Sequence, residues 1–191
     1  MIRKITGLSL LATALLGLFP LACQPGGVGD PCTPEDEYKL DFPGYNAKEV
    51  NVESKSFQCE TRVCLGNHFQ GRVSCKYGQE ANAGNCTRPG DKSQKITVAV
   101  DAQLVNRQAD KAVYCSCRCD GEDKNARYCK CPSGYACTKL QDNYNLGAAQ
   151  LAGSYCVRDG TGYDPQDSVS CAPKGYPLAA GTATCGEPTE G

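Results

Sequence analysis

Residues 113–137 read VYCSCRCDGEDKNARYCKCPSGYAC and hold six cysteines: Cys115, Cys117, Cys119, Cys129, Cys131 and Cys137. No other feature restricts the fold as strongly. In an extended chain alternate side chains share a face. Val113, Cys115, Cys117 and Cys119 are therefore expected to point inward, and Tyr114, Ser116 and Arg118 outward. Cysteines two apart on one strand lie roughly 6–7 Å apart at Cα and side by side, a poor geometry for bonding each other. Each is expected to bond elsewhere. A charged turn, Asp120 to Lys124, separates this run from a second strand at Arg127–Cys131 that repeats the alternation. The stretch reads as a knot to which other segments are tied.

The chain carries 15 cysteines, an odd number. Its N-terminus accounts for the odd one. Arg3 and Lys4 precede an apolar run from Ile5 to Leu18, and Phe19-Pro20-Leu21-Ala22-Cys23 follows. This is a secretory signal ending in a cysteine. It resembles a bacterial lipoprotein signal, which implies that residues 1–22 are removed and that Cys23 is lipidated and begins the mature chain. Ordinary cleavage nearby and an uncleaved anchor are the alternatives. The apolar run falls short of the roughly 20 residues a spanning helix needs. With Cys23 assigned to lipid, the remaining cysteines are Cys32, Cys59, Cys64, Cys75, Cys86, Cys115, Cys117, Cys119, Cys129, Cys131, Cys137, Cys156, Cys171 and Cys185. They suffice for seven disulfides, the default state on an oxidising export route. Their connectivity does not follow from sequence.

Such cross-links are needed. From Cys23 onward the chain has one Ile, seven Leu, eleven Val and three Phe, a content that by itself would suggest disorder. A native disulfide typically contributes about 2–4 kcal/mol, so a modest core held by bridges is expected, and reduction should unfold it. The formal net charge of −1 and the lack of a basic stripe argue against a nucleic-acid partner.

Residues 23–31 form a Pro/Gly tether, and residues 32–191 a single disulfide-stapled domain with a loop-rich tail. Residues 33–48 read as a polar surface loop. Val50 and Val52 share a face, Gly71–Tyr77 is a short strand candidate, and residues 82–91 are rich in turns. Ile96, Val98, Val100, Ala102 and Leu104 alternate over Lys95–Val105, the best strand pattern in the chain. This strand is expected to form a long hairpin with the Cys115–Cys119 run. Tyr135–Leu140 and Gly153–Val157 are further strands. Gln141–Ala152 is the fair helix candidate, and Cys171 and Cys185 should pin the tail to the body. The expected fold class is small, disulfide-rich and mainly β, with antiparallel hairpins, long loops and at most one short helix.

Few patterns carry chemistry. The Cys-x-Cys runs would suit soft metals as thiolates, but zinc sites favour spacings of two to four residues and the compartment is oxidising. Disulfides are the preferred reading, and no metal or cofactor is assigned. Cys129–Cys137 resembles the end of an EGF-like module over nine residues, a shared turn between cross-linked strands. The oxygens of Asp120, Glu122, Asp123 and Asn125 lack the order of an EF-hand loop. His68 is the only histidine; it is expected on an exposed turn, and no triad or two-histidine site can be built. The chain is not expected to be an enzyme. Tyr114, Tyr128 and Tyr135 gather near the knot, either as a recognition surface or as cover for a thin core.

Several segments carry a family resemblance: Gly29-Asp30-Pro31-Cys32, Cys59–Leu65, Cys115–Gly121, Tyr128–Cys137 and Gly153–Val157. Together they resemble the cysteine-rich outer-membrane lipoproteins of gliding delta-proteobacteria, of the contact-stimulated adventurous gliding-motility type. The resemblance implies a lipid-anchored outer-membrane protein. Its partners would be other envelope or motility proteins, and it would serve gliding motility or adhesion without catalytic residues. Gln24, in place of the Asp that retains many lipoproteins at the inner membrane, agrees with outer-membrane sorting. A periplasmic thiolate metal-binding protein and a small secreted inhibitor or ligand-binding module are the competing expectations.

Overall fold

A computed structural model describes residues 25–141, 151–173 and 183–185. The architecture is mainly β, built from small sheets and stapled by seven disulfides. Strands β1 (Val50–Glu53), β2 (Val63–Asn67) and β5 (Val113–Ser116) form one antiparallel sheet in the order β1-β2-β5. Strands β6 (Arg118–Asp120), β7 (Tyr135–Gln141) and β8 (Gly153–Arg158) form a second, in the order β6-β8-β7. A short hairpin pairs β3 (Thr87–Arg88) with β4 (Asp91–Lys95), and β9 (Cys171–Ala172) runs parallel to β10 (Ala183–Thr184). Among the described residues the one α-helix, α1 (Ala109–Ala112), is a single turn.

The first sheet is covered on both faces. Cys64, Val113 and Cys115 join Cys32, Tyr45, Cys59 and Phe69 in one cluster, while Leu65 and Tyr114 join Val157 in another. Tyr114 and Ser116, expected to face outward, are therefore fully buried. The reason is β8, whose Cys156 carbonyl accepts the Ser116 hydroxyl at 2.8 Å and whose Arg158 N–H donates to the Tyr114 hydroxyl at 2.9 Å.

The strand expected at Lys95–Val105 is corrected. Ile96, Val100 and Leu104 do turn inward, as the alternation requires. However, this segment does not pair with the cysteine run. It is stitched by single bridges, Val100 to Gln79 and Leu104 to Ser170, because β5 is flanked instead by β2 on one edge and by residues 29–31 on the other; the Gly71–Tyr77 segment, expected as a strand, turns repeatedly. Arg127–Cys131 is likewise not a strand. The helix expected at Gln141–Ala152 lies mostly outside the described residues, and Gln141 itself ends β7.

The 33–48 segment is not merely wrapped on the surface. A 3-10 turn at Glu35–Tyr38 sends Glu37 inside, where it and Arg72 are both fully buried with their charged atoms 3.4 Å apart. Burial of two charges is tolerable only when their remaining hydrogen-bonding capacity is met, and here it is. Glu37 accepts the Val73 N–H and the Ser74 hydroxyl, each at 2.7 Å. Arg72 donates to the carbonyls of Phe42 (2.7 Å), Lys39 (3.2 Å) and Glu37.

Candidate functional site

The cysteine run 115–119 lies where the two sheets meet: β5 belongs to one, β6 to the other, and Cys117 lies between them. Each of its cysteines bonds outside the run. Cys115 bonds Cys59, Cys117 bonds Cys129, and Cys119 bonds Cys137. Cys131–Cys156 completes a ladder beside them, and Cys32–Cys64, Cys75–Cys86 and Cys171–Cys185 account for the rest. Register does not dictate partner. Cys64 stands opposite Cys115, and Cys137 opposite Cys156, yet neither pair is bonded. Cys119–Cys137 brings the outer strands β6 and β7 to a Cα separation of 5.9 Å. A flat sheet would hold strands two places apart at roughly 9–10 Å, so this sheet is curled around the bridge.

The sulfurs come close enough to raise the metal question directly. Cys156 Sγ lies 3.5 Å from Cys117 Sγ and 3.6 Å from Cys129 Sγ, across two different disulfides. Cys32, Cys59 and Cys115 form a second close group, and Cys119, Cys131 and Cys137 a third. The spacing resembles the roughly 3.8 Å expected between thiolates around one tetrahedral zinc. Every one of these sulfurs is nevertheless committed to a disulfide and offers no thiolate.

The remaining candidates settle as structural parts. His68 is half-buried, not exposed; its Nδ1 lies 3.1 Å from the Ala47 carbonyl and its ring 5.4 Å from that of Tyr163. Burial holds its imidazole below the ordinary value of 6.5. In the 120–125 turn, Asp120 and Asp123 accept the N–H groups of Gly121 (2.8 Å) and Asn125 (2.9 Å). Two of the three tyrosines belong to the core, Tyr114 buried in it and Tyr135 packed against it, and Tyr128 does not. Tyr114 and Tyr135 pack edge to face at 5.6 Å, and Tyr128 stacks under Arg118. Cys171 and Cys185 bond each other, so the expected pin to the body is made by hydrogen bonds instead: Cys171 N–H to Gln103 and the Tyr77 hydroxyl to Cys185. A cleft of about 930 Å³ lies between this corner and the 75–86 bridge, and Gln79 on its lining is fully used by Ile96, Val98 and Cys86.

The N-terminal segment reads in sequence only as a tether, and from Pro25 onward it is something else. Gly26 forms a parallel bridge with Cys59: its N–H donates to the Gln58 carbonyl at 2.7 Å, and its carbonyl accepts the Glu60 N–H at 2.9 Å. Gly29 and Asp30 then exchange hydrogen bonds with Cys115, at 2.8 and 2.7 Å. Arg158 seals this seam, reaching the Gly29 carbonyl at 3.3 Å and the Tyr135 hydroxyl at 3.0 Å. Gly29 has φ of +101°, and a Cβ there would come within 2.5 Å of the Tyr135 hydroxyl. A Pro/Gly stretch lacks core-forming side chains, so sequence patterning has nothing to read; it docks through backbone groups.

Beside the seam stands Phe57, 78% exposed, with the Arg62 guanidinium 4.1 Å above its ring. No helix among the described residues is long and apolar enough to cross a membrane. Cys23, the lipidation candidate, lies outside the described residues. Comparison with protein families, with curated proteins and with solved structures finds no match.

Proposed function

We propose that the chain is a non-enzymatic lipoprotein of the cell envelope, anchored to the outer membrane through Cys23 and acting by protein contacts in adhesion or gliding machinery. The observation that carries the anchor is the cysteine inventory. Seven disulfides use fourteen cysteines, and of the 15 in the chain the one left over is Cys23, directly behind the apolar leader. Dense cross-linking of a thin core fits an exported protein. The motility assignment rests on the sequence resemblance.

The test is metabolic palmitate labelling of the full chain in a bacterial host, alongside Cys23→Ala. Label and membrane retention should both be lost in the variant; retention that survives the substitution would sink the reading. A thiolate metal-binding protein is the competing reading, and it requires the close sulfur groups to be reduced. Titration of thiols in the unreduced mature protein separates the two. Close to none supports the disulfide-stapled lipoprotein, and many, with co-purifying metal, supports the other. Cross-linking in intact cells would then identify what the protein touches.

A further inference from the structure

The way the N-terminal segment docks fixes which face of the body an anchor at Cys23 would turn toward the membrane. Gly26 and Cys59 pair in parallel, so both segments run in the same direction. The chain preceding Gly26 therefore leaves the body on the side from which Phe57 and Gln58 approach. Only Gln24 and Pro25 separate Cys23 from Gly26, three Cα steps with a reach of at most about 11 Å. A gap of that size is about the diameter of one helix, too small to admit a folded partner between body and bilayer. The same side carries Phe57, the most exposed large apolar side chain among the described residues at 78%. Lys55 and Arg62 are exposed beside it, and Glu60 is the one acid between residues 54 and 62.

We propose that the 55–62 loop is a membrane-contacting face, with the bilayer itself as its occupant. The Phe57 ring enters the boundary between headgroups and acyl chains, as aromatic residues do in interfacial segments. Arg62 and Lys55 stay at the level of the phosphates while their aliphatic stems lie along the apolar surface. The geometry of the Arg62–Phe57 pair suits this, because the guanidinium already caps the ring face. The proposal rests on the anchor at Cys23. It deepens that reading by giving the body a fixed orientation, so that β7, β8 and the 120–134 loop are set by the fold and not by a swinging leash.

The chain contains no Trp, so Phe57→Trp installs a single fluorescent reporter at an exposed site. The comparison variant is Tyr163→Trp. Tyr163 is 46% exposed and packs on His68, just past the end of β2 opposite Arg62, roughly 20 Å away by strand rise. Both full-length chains, expressed with their own leader and purified from membranes, are placed in phosphatidylethanolamine–phosphatidylglycerol vesicles with and without brominated acyl chains, and vesicle binding is checked by flotation. The expected result is a blue shift and at least twofold bromolipid quenching for Phe57→Trp, with neither for Tyr163→Trp. Flotation of the Phe57→Trp variant with unshifted, unquenched fluorescence overturns the membrane face and leaves the anchor intact. Equal quenching at both sites also overturns it, because the orientation is then not fixed. Failure of both variants to float overturns the anchor and this inference together.

Discussion

Removing the Cys59–Cys115 bridge tests whether this fold is held by what its cross-links deny the unfolded chain. The two cysteines are 56 positions apart, and both are completely buried. In the loop-entropy description, a bridge closing a loop of that length stabilises the folded state by about 4 kcal/mol. The Cys75–Cys86 bridge lies inside the loop and short-circuits its 11 positions, but the dependence on length is logarithmic, so the figure stays at about 4 kcal/mol. Replacing both residues, Cys59→Ala with Cys115→Ala, leaves no free thiol to confuse the outcome. The matched comparison is Cys75→Ala with Cys86→Ala, for which the same relation gives about 3 kcal/mol. Urea denaturation of each purified protein reads the two losses. The 59–115 variant should also show the steeper denaturant dependence, since its unfolded chain expands more. A loss below about 1 kcal/mol, or a larger loss for the short loop than for the long one, would refute the reasoning and place the stabilisation in native packing.

Three further outcomes follow from the same structure. Glu37→Gln leaves the Arg72 guanidinium buried without a counter-charge and should cost about 3–5 kcal/mol, while Glu37→Met with Arg72→Met should cost less; a Gln variant as stable as the parent in urea would show that the pair is not needed. The His68 imidazole, held below 6.5 by burial, should titrate below 6.5 by NMR. The unfolded chain then binds the more protons below that value, so His68 makes stability fall as pH is lowered through 6.5 and downward; a titration midpoint above 6.5 contradicts this. Graded reduction followed by alkylation and mass spectrometry should label Cys137, which is exposed, together with Cys119, before Cys59 and Cys115, which are fully buried. Simultaneous labelling of all four would mean that the bridges open only on global unfolding.

What the sequence carried was periodicity and inventory. Alternation placed strands near Val50–Val52, Tyr135–Leu140 and Gly153–Val157, and the rule that neighbours two apart do not bond each other matches the bridges of Cys115, Cys117 and Cys119. Pairing lay beyond reach. Cys64 and Cys115 face one another across two strands and bond elsewhere, a choice set by the geometry of the surrounding loops. Ile96, Val100 and Leu104 kept their inward pattern without forming the expected hairpin, since alternation reports which side is apolar and not which segment lies opposite. Glu37 lay in a stretch that read as a polar surface loop and Arg72, 35 positions on, in a strand candidate, and their burial depends on backbone carbonyls that no side-chain pattern encodes. Phe57 was one apolar residue in a polar stretch, and its meaning came only from the segment docked beside it.

That segment changes what a lipid anchor would do mechanically. If Cys23 carries the lipid, a pull on the membrane end does not first stretch a slack tether. It meets the hydrogen bonds of Gly26 to residues 58 and 60 and those of Gly29 and Asp30 to Cys115. These two sets grip opposite ends of one disulfide, Cys59–Cys115, so the load passes into the bridge that joins β5 to the 58–60 loop. Only when they fail does the Pro/Gly stretch become the leash its composition suggests. It then extends to at most about 32 Å, nine Cα steps from Cys23, before Cys32–Cys64 stops it covalently. On the proposal that the 55–62 loop contacts the bilayer, small loads leave that face in place, and larger ones release the body to no more than that distance.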